Sequence, residues 1–337
     1  MMISTGLPEG FSARPATLDD ADAVVELINA CSIADRGHPT TDLSEIRNDW
    51  ISPYCDPQTN ARLVYDGKEL VGCASLWTEP PCVTIYASVR VHPDDKGRGV
   101  GTYLARWAAA RAWKAAVSVA PENARIAIHQ FRPATDADSR GLLLSEGYQD
   151  VRHGYRMLIE LENPPPSPRF PDGIVMRTFD RERHMRALVR AEQEIFRDHW
   201  GYVELPFEQD LAAWEQWIDN DEHHDPSIWF LAMRGEDIAG VCLCRSFMVE
   251  DPEMGYVSSL GVARRWRRRG IGLAMLHHAF GEFHRRGKKR VSLDVDADSL
   301  TGATRLYEKA GMHVQRESVT YELVLREGED LTTQELG

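Results

Sequence analysis

Apolar and polar positions along the chain follow two patterns, and each occurs twice. Arg62-Leu63-Val64-Tyr65-Asp66-Gly67-Lys68-Glu69-Leu70-Val71-Gly72 sets two short apolar runs around a glycine turn, as a β-hairpin requires, and Phe230 to Gly240 repeats the arrangement around Gly235. Ile85 to Val91, Tyr256 to Val262 and Val291 to Val295 alternate as strands. Arg267-Arg268-Arg269-Gly270-Ile271-Gly272 follows the second of these. A helix comes next, with Leu273, Leu276, Phe280 and Phe283 on one stripe, Arg285-Arg286 at its end and Gly287 as its stop. After Val91, Lys96-Gly97-Arg98-Gly99-Val100-Gly101 opens a helix bearing Leu104, Trp107 and Ala108.

The two halves open alike, with Phe11-Ser12-Ala13-Arg14-Pro15 and Ile174-Val175-Met176-Arg177-Thr178. Arg14 and Arg177 are 163 residues apart, Gly67 and Gly235 168, Gly101 and Gly272 171, and Gly147 and Gly311 164. Convergent composition would imitate one such match; four in order indicate a duplicated domain whose loops differ by a few residues. Between the halves, Glu162 to Pro171 is proline-rich, and residues without an N–H build an extended, semi-rigid linker. The expected organisation is a domain over 1–163, a linker over 164–171 and a second domain over 172–330, in keeping with 337 residues at about 150 per domain.

Composition narrows the class. With 43% hydrophobic and 27% charged residues the chain is an ordinary globular protein, and no apolar run approaches the ~20 residues a membrane span needs. Met1 to Ser12 carry neither a basic n-region nor an apolar run, so no leader is read there. Six cysteines without a Cys-x-x-Cys pair read as reduced core residues; Cys242 and Cys244 share one strand face. The adjacent pairs His223-His224 and His277-His278 point in different directions, so no metal site is expected. A net charge of −13 disfavours nucleic acid as a partner. The expected setting is the cytoplasm, with neither nucleic acid nor membrane as partner.

Strand, glycine turn and helix together form an anion cradle, in which glycines admit the ligand and free N–H groups at the helix start face phosphate oxygens. Five arginines within Arg264 to Arg269 favour an anion site over a merely solvated loop in so acidic a chain. A dinucleotide-binding turn is the rival, with Asp294 at about the right distance for a ribose contact, roughly 20 residues. It lacks its third glycine, since Met275 and Leu104 occupy those positions. A P-loop is excluded because no Gly-Lys-Ser/Thr is present.

Arg267-x-x-Gly270-x-Gly272, with Lys96-x-x-Gly99-x-Gly101 as a looser copy, resembles the Arg/Gln-x-x-Gly-x-Gly/Ala motif of the GNAT superfamily of N-acyltransferases. Ala303-Thr304-Arg305-Leu306-Tyr307-Glu308-Lys309-Ala310-Gly311-Met312 is similar to the family's Ala-x-x-Leu-Tyr-x-x-x-Gly-Phe helix, with Met for Phe. The resemblance covers essentially the whole chain as two tandem copies, an architecture similar to that of the mycothiol synthases. It implies a mixed α/β (α+β) fold of two tandem GNAT domains, each a mostly antiparallel mixed sheet flanked by helices. It also implies acetyl-CoA as co-substrate, without a metal, and direct acetyl transfer to a primary amine of a small molecule.

By the same resemblance, Leu260, Gly261 and Val262 offer backbone to the pantetheine arm. Arg267, Arg268, Arg269, Gly270, Ile271, Gly272 and Leu273 cradle the pyrophosphate, and Ser299 joins this cofactor set. A backbone N–H near Val262 polarises the thioester carbonyl and Tyr307 protonates the leaving thiolate. The corresponding cofactor positions in the first copy are Val89, Val91, Lys96, Gly97, Arg98, Gly99, Val100 and Gly101. Leu143 stands at the tyrosine position there, so the first domain is expected to be degenerate and non-catalytic. The family's glutamate, six residues before the strand's last valine, is replaced by Tyr256, which leaves Glu253, with Glu250 and Asp251, as the candidate base. Asp198, Trp200 and Tyr202 form an aromatic, acidic loop suited to an ammonium acceptor, or else a loop anchored to the core by Trp200. Two further readings stay open, an acyl-CoA-binding protein without catalysis and an acetyltransferase of protein or peptide amines.

Overall fold

The structure is a computed structural model and describes residues 6–299 and 302–334. The reading of Met1 to Ser12 as leaderless falls in part on residues 1–5, outside the described set. The elements run β1 (Phe11–Pro15), α1 (Ala21–Arg36), α2 (Leu43–Ile51), α3 (Pro57–Asn60), β2 (Ala61–Asp66), β3 (Glu69–Trp77), β4 (Thr84–Val91), α4 (Val100–Ala116), β5 (Ile126–Pro133), α5 (Ala137–Ser145) and β6 (Gln149–Glu160). They continue as β7 (Val175–Thr178), α6 (Arg181–Phe196), α7 (Phe207–Asn220), β8 (Phe230–Arg234), β9 (Asp237–Arg245), β10 (Met254–Val262), α8 (Ile271–Arg285), β11 (Arg290–Asp296), α9 (Ala303–Lys309) and β12 (His313–Arg326).

The chain folds as two compact units, Met1–His153 with Ser318–Leu331, and Gly154–Glu317 with Thr332–Gly337. In unit 1 the strand order is β1-β2-β3-β4-β5-β12, and in unit 2 it is β7-β8-β9-β10-β11-β6. Every neighbouring pair is antiparallel except β4–β5 and β10–β11. Each sheet is therefore mixed and mostly antiparallel. The units do not follow the division at 163. β6 joins β11 from Gly154 to Glu160, and β12 joins β5 from Ser318 onward, so each copy takes its last strand from the other half of the sequence. The proline run consequently lies inside unit 2, between β6 and β7. It forms neither helix nor strand, as residues lacking the ladder donor dictate.

In unit 2 the β9 alternation fixes which helices cover which face. Cys242 and Cys244 point to one side with Met275, Phe280 and Phe283 of α8. Val241 and Leu243 point to the other, with Leu188 and Ile195 of α6 and Leu211 and Ile218 of α7. All six cysteines are buried and unpaired. Among the described residues no helix is long and apolar enough to cross a membrane.

Candidate active site

β10 is shaped by one extra residue. Val257 pairs with Cys244 but Ser259 with Leu243, so Ser258 is a bulge, and its hydroxyl donates to the Leu243 carbonyl at 3.0 Å. Pairing with β11 covers only Met254 to Tyr256, and beyond that the two parallel strands part. Ala263 N–H donates to Ala239 O of β9 at 3.0 Å. Alternation along an antiparallel strand therefore turns the N–H and C=O groups of Leu260 and Val262 to the open edge. Among the described residues no side chain reaches the Leu260 carbonyl. Gly261 is required by packing, because a Cβ there would lie 2.1 Å from Ile195 Cγ2 of α6.

At the mouth of this opening α8 begins. Gly270 precedes it at φ +82°, a left-handed conformation natural to glycine, and it brings no capping side chain. The first-turn N–H groups are thus left for a ligand. Arg268, beside it, also adopts a left-handed backbone at φ +60°. The result is a cleft of about 480 Å³. It gathers Leu260, Gly261, Val262, Arg267, Arg268, Gly270, Ile271, Gly272, Leu273, Ser299, Tyr307, Asp198 and Trp200 from the sequence-derived set. Arg269, Glu253 and Tyr202 do not line it.

The arginines divide by orientation. Arg267 turns inward, donating to Val262 O at 3.0 Å, Ile195 O at 3.2 Å and Asp198 at 2.6 Å, so it ties the end of β10 to α6. Arg268 is exposed at the cleft rim and has no ion-pair partner among the described residues. Arg269 lies over Trp266, 5.0 Å from the ring centroid. Asp198 is buried between Arg264 and Arg267. Burial alone would raise its carboxyl, but the hydrogen bonds from Arg264 and Arg267 outweigh this and hold it below the usual carboxylate range. Its charge is therefore already neutralised. Trp200 donates its indole N–H to Gln334 at 2.9 Å, and the Tyr202 hydroxyl is buried without a partner among the described residues.

Tyr307 of α9 is buried in the cleft wall, with no hydrogen-bond partner for its hydroxyl among the described residues. Burial, with the Cys242 thiol as a lesser influence, pushes its phenol above the usual value and keeps it protonated. Glu253 is exposed and faces Arg290 at 3.6 Å, away from the cleft. Tyr256 donates instead to Asp294 of β11 at 3.1 Å, and Asp294 in turn receives Arg156 of β6 at 2.6 and 2.7 Å.

The carboxylate that the sequence reading passed over is Glu192 of α6. It is 8% exposed and accepts a hydrogen bond from Ser259 Oγ at 2.9 Å. Ser259 itself lines the cleft. A signal was present, since Glu192 stands on the helix's apolar stripe with Met185, Leu188, Val189 and Ile195. An acid on a buried stripe requires a reason.

Unit 1 has a cleft of about 270 Å³ in the corresponding region. Val89, Val91, Lys96, Gly97, Gly99 and Gly101 line it, whereas Arg98 and Val100 do not. Gly99 precedes α4 as Gly270 precedes α8, without a capping side chain. Here, however, buried Arg132 of β5 donates to Val89 O at 2.7 Å, and Cys31 Sγ lies 3.1 Å from Val91 O. Lys96 is paired with Asp35 and Asp138, and Arg98 with Asp66 and Asp95. Leu143 occupies the wall.

Comparison with known proteins agrees with this geometry. The sequence profile of the acetyltransferase (GNAT) family matches residues 21–130 and 185–312. A mycothiol acetyltransferase of Thermobispora bispora is 29% identical over 306 residues, 88% of this chain and 93% of that protein. Among solved structures, a GCN5-related N-acetyltransferase from Sphaerobacter thermophilus is 35% identical, with a TM-score of 0.80 over 98% of this chain and 100% of its own. A tandem GNAT protein from the clavulanic acid biosynthesis pathway shares the fold at 15% identity, with a TM-score of 0.72 over 95% of this chain and all of its own.

Proposed function

The chain belongs to the acetyltransferase (GNAT) family, and from that footing we propose that unit 2 carries the active centre of an N-acetyltransferase moving acetyl from acetyl-CoA to a primary amine of a small molecule. The observation that carries the reading is the convergence of three features in one cleft: the open β10 edge, the uncapped start of α8 and the Tyr307 hydroxyl, which has no partner among the described residues. The first-turn N–H groups of α8 and the Arg268 guanidinium bind the pyrophosphate. The outward backbone groups of Leu260 hold the pantetheine as an added strand would be held. The Val262 N–H meets the thioester oxygen and stabilises its developing charge. The amine attacks the carbonyl carbon, the C–S bond breaks and Tyr307 gives its proton to sulfur. A relative named for mycothiol, a small molecule, supports an acceptor of that size.

The test is a panel of spermidine, kanamycin, tyramine and glucosamine with acetyl-CoA, following released thiol. Tyr307→Phe is expected to lower kcat by roughly 10²-fold or more while CoA affinity stays within about twofold, because the hydroxyl acts chiefly in the transition state. Unchanged turnover would remove Tyr307 from the chemistry.

A further inference from the structure

An ammonium acceptor must lose a proton before its nitrogen attacks, and the position at which the family resemblance implies a glutamate holds Tyr256, whose hydroxyl is committed to Asp294. Two other observations meet at the cleft. Ser259, the residue just past the β10 bulge, lines the cleft and donates its hydroxyl hydrogen to Glu192 Oε1 at 2.9 Å. Glu192 lies one helical turn before Ile195, the side chain packed onto Gly261 beside the Val262 N–H. We propose that Ser259 and Glu192 form the proton path from the acceptor ammonium, with Ser259 touching the amine and Glu192 acting through it. This rests on the transferase reading above.

The step balances. The ammonium gives a proton to Ser259 Oγ as the Ser259 hydroxyl proton passes to the Glu192 carboxylate. The neutral amine forms the C–N bond and the C–S bond breaks. Tyr307 protonates the thiolate, its phenolate takes the proton left on the amide nitrogen, and Glu192 releases its own to water. The surroundings of Glu192 suit this role. Burial first, then Asp210 of α7, raises its carboxyl to about 8, against which the Ser259 hydrogen bond works. β10 presents Ser259 to it, and the β9 residues packed under α6, Val241 and Leu243, are apolar. A base of that strength accepts a proton from an amine far more readily than an ordinary surface carboxylate does.

The experiment is the pH profile of kcat/KM on the full chain, with acetyl-CoA and each of the four amines. The wild type should show a limb rising through about pH 8. Glu192→Gln should lose that limb and fall roughly 10²-fold at pH 8, as should Ser259→Ala, whereas Ser259→Thr, which keeps the hydroxyl, should recover to within about threefold. A folding role alone would shift the melting temperature of Glu192→Gln and leave the limb in place, which would overturn the relay. Full activity in Ser259→Ala would overturn it equally. A wild type that transfers acetyl to none of the four amines overturns the transferase reading and the relay with it.

Discussion

One chain contains the same cradle twice, and the two clefts differ at the atoms that matter for a thioester. In unit 2 the outward carbonyl of Leu260 meets no side chain among the described residues, whereas its counterpart in unit 1, Val89, is held by the Arg132 guanidinium at 2.7 Å. The correspondence follows from register, since Val262 pairs with Gly240 of its hairpin and Val91 with Gly72. β10 carries a bulge at Ser258, while β4 pairs without interruption from Tyr86 to Val91. Position 261 is glycine in one copy, and Arg90 stands there in the other. Tyr307 is matched by Leu143. Duplication thus preserved the glycine turn and the helix start, which backbone geometry enforces, and let side chains close one groove. A glycine motif identifies a cradle, and the strand edge beside it determines whether that cradle admits the rest of the ligand.

The largest effect is expected from moving unit 2 towards unit 1 at Gly261. Gly261→Ala sets a Cβ 2.1 Å from Ile195 Cγ2, so α6 must shift. Overpacking of this kind costs about 1–3 kcal/mol, and the shift should also disturb the Glu192–Ser259 contact, lowering kcat together with stability. Chemical denaturation and thiol release measured in parallel check this, and a fully stable, fully active variant would show that α6 is not held against β10.

The reverse change is expected to be smaller. Leu143→Tyr alone should add no turnover in a Tyr307→Phe background, because Arg132 still occupies the β4 edge. Combined with Arg132→Met it should permit weak CoA binding by unit 1, read as a second site in calorimetry. Turnover restored by Leu143→Tyr alone would place the barrier in the missing phenol and not in the blocked edge.

The smallest effect concerns the strand that unit 1 takes from the far end of the chain. Burial would raise the carboxyl of Glu322 on β12, but hydrogen bonds from His129 and Arg125 outweigh it and hold it at about 2, below its ordinary 4.5. Its contribution is therefore complete above about pH 4.5 and disappears as pH falls towards about 2. Glu322→Gln should cost about 1–2 kcal/mol at pH 7 after solvent screening, with the difference vanishing near pH 2. An undiminished difference in acid would assign the effect to packing.

Much of this was legible in the sequence. Alternation gave the strands, glycine spacing gave both cradles, and the Ala303 to Met312 helix pointed to Tyr307. What stayed hidden depends on partners distant in sequence. The Ser258 bulge has no glycine or proline to announce it. Nothing local in Gln149 to Glu160 says that it pairs with β11, so the boundary expected at 163 and the compact units differ there. The arginine run suggested equal basic contributors, but Arg267 has acceptors on three sides and turns away. Asp198 reads in the sequence as open to an ammonium, whereas in the fold Arg264 and Arg267 enclose it. Glu192 was readable in principle, as an acid on an apolar stripe.

The central claim is that one of the two cradles, that of unit 2, accepts acetyl-CoA. A crystal structure of the full chain grown with acetyl-CoA tests it most directly. The predicted result is one molecule per chain, with its pyrophosphate at the first turn of α8, its pantetheine along Leu260 to Val262 and its sulfur at the Tyr307 hydroxyl. A molecule lying along β4 of unit 1, with Arg132 displaced from Val89, would contradict the account.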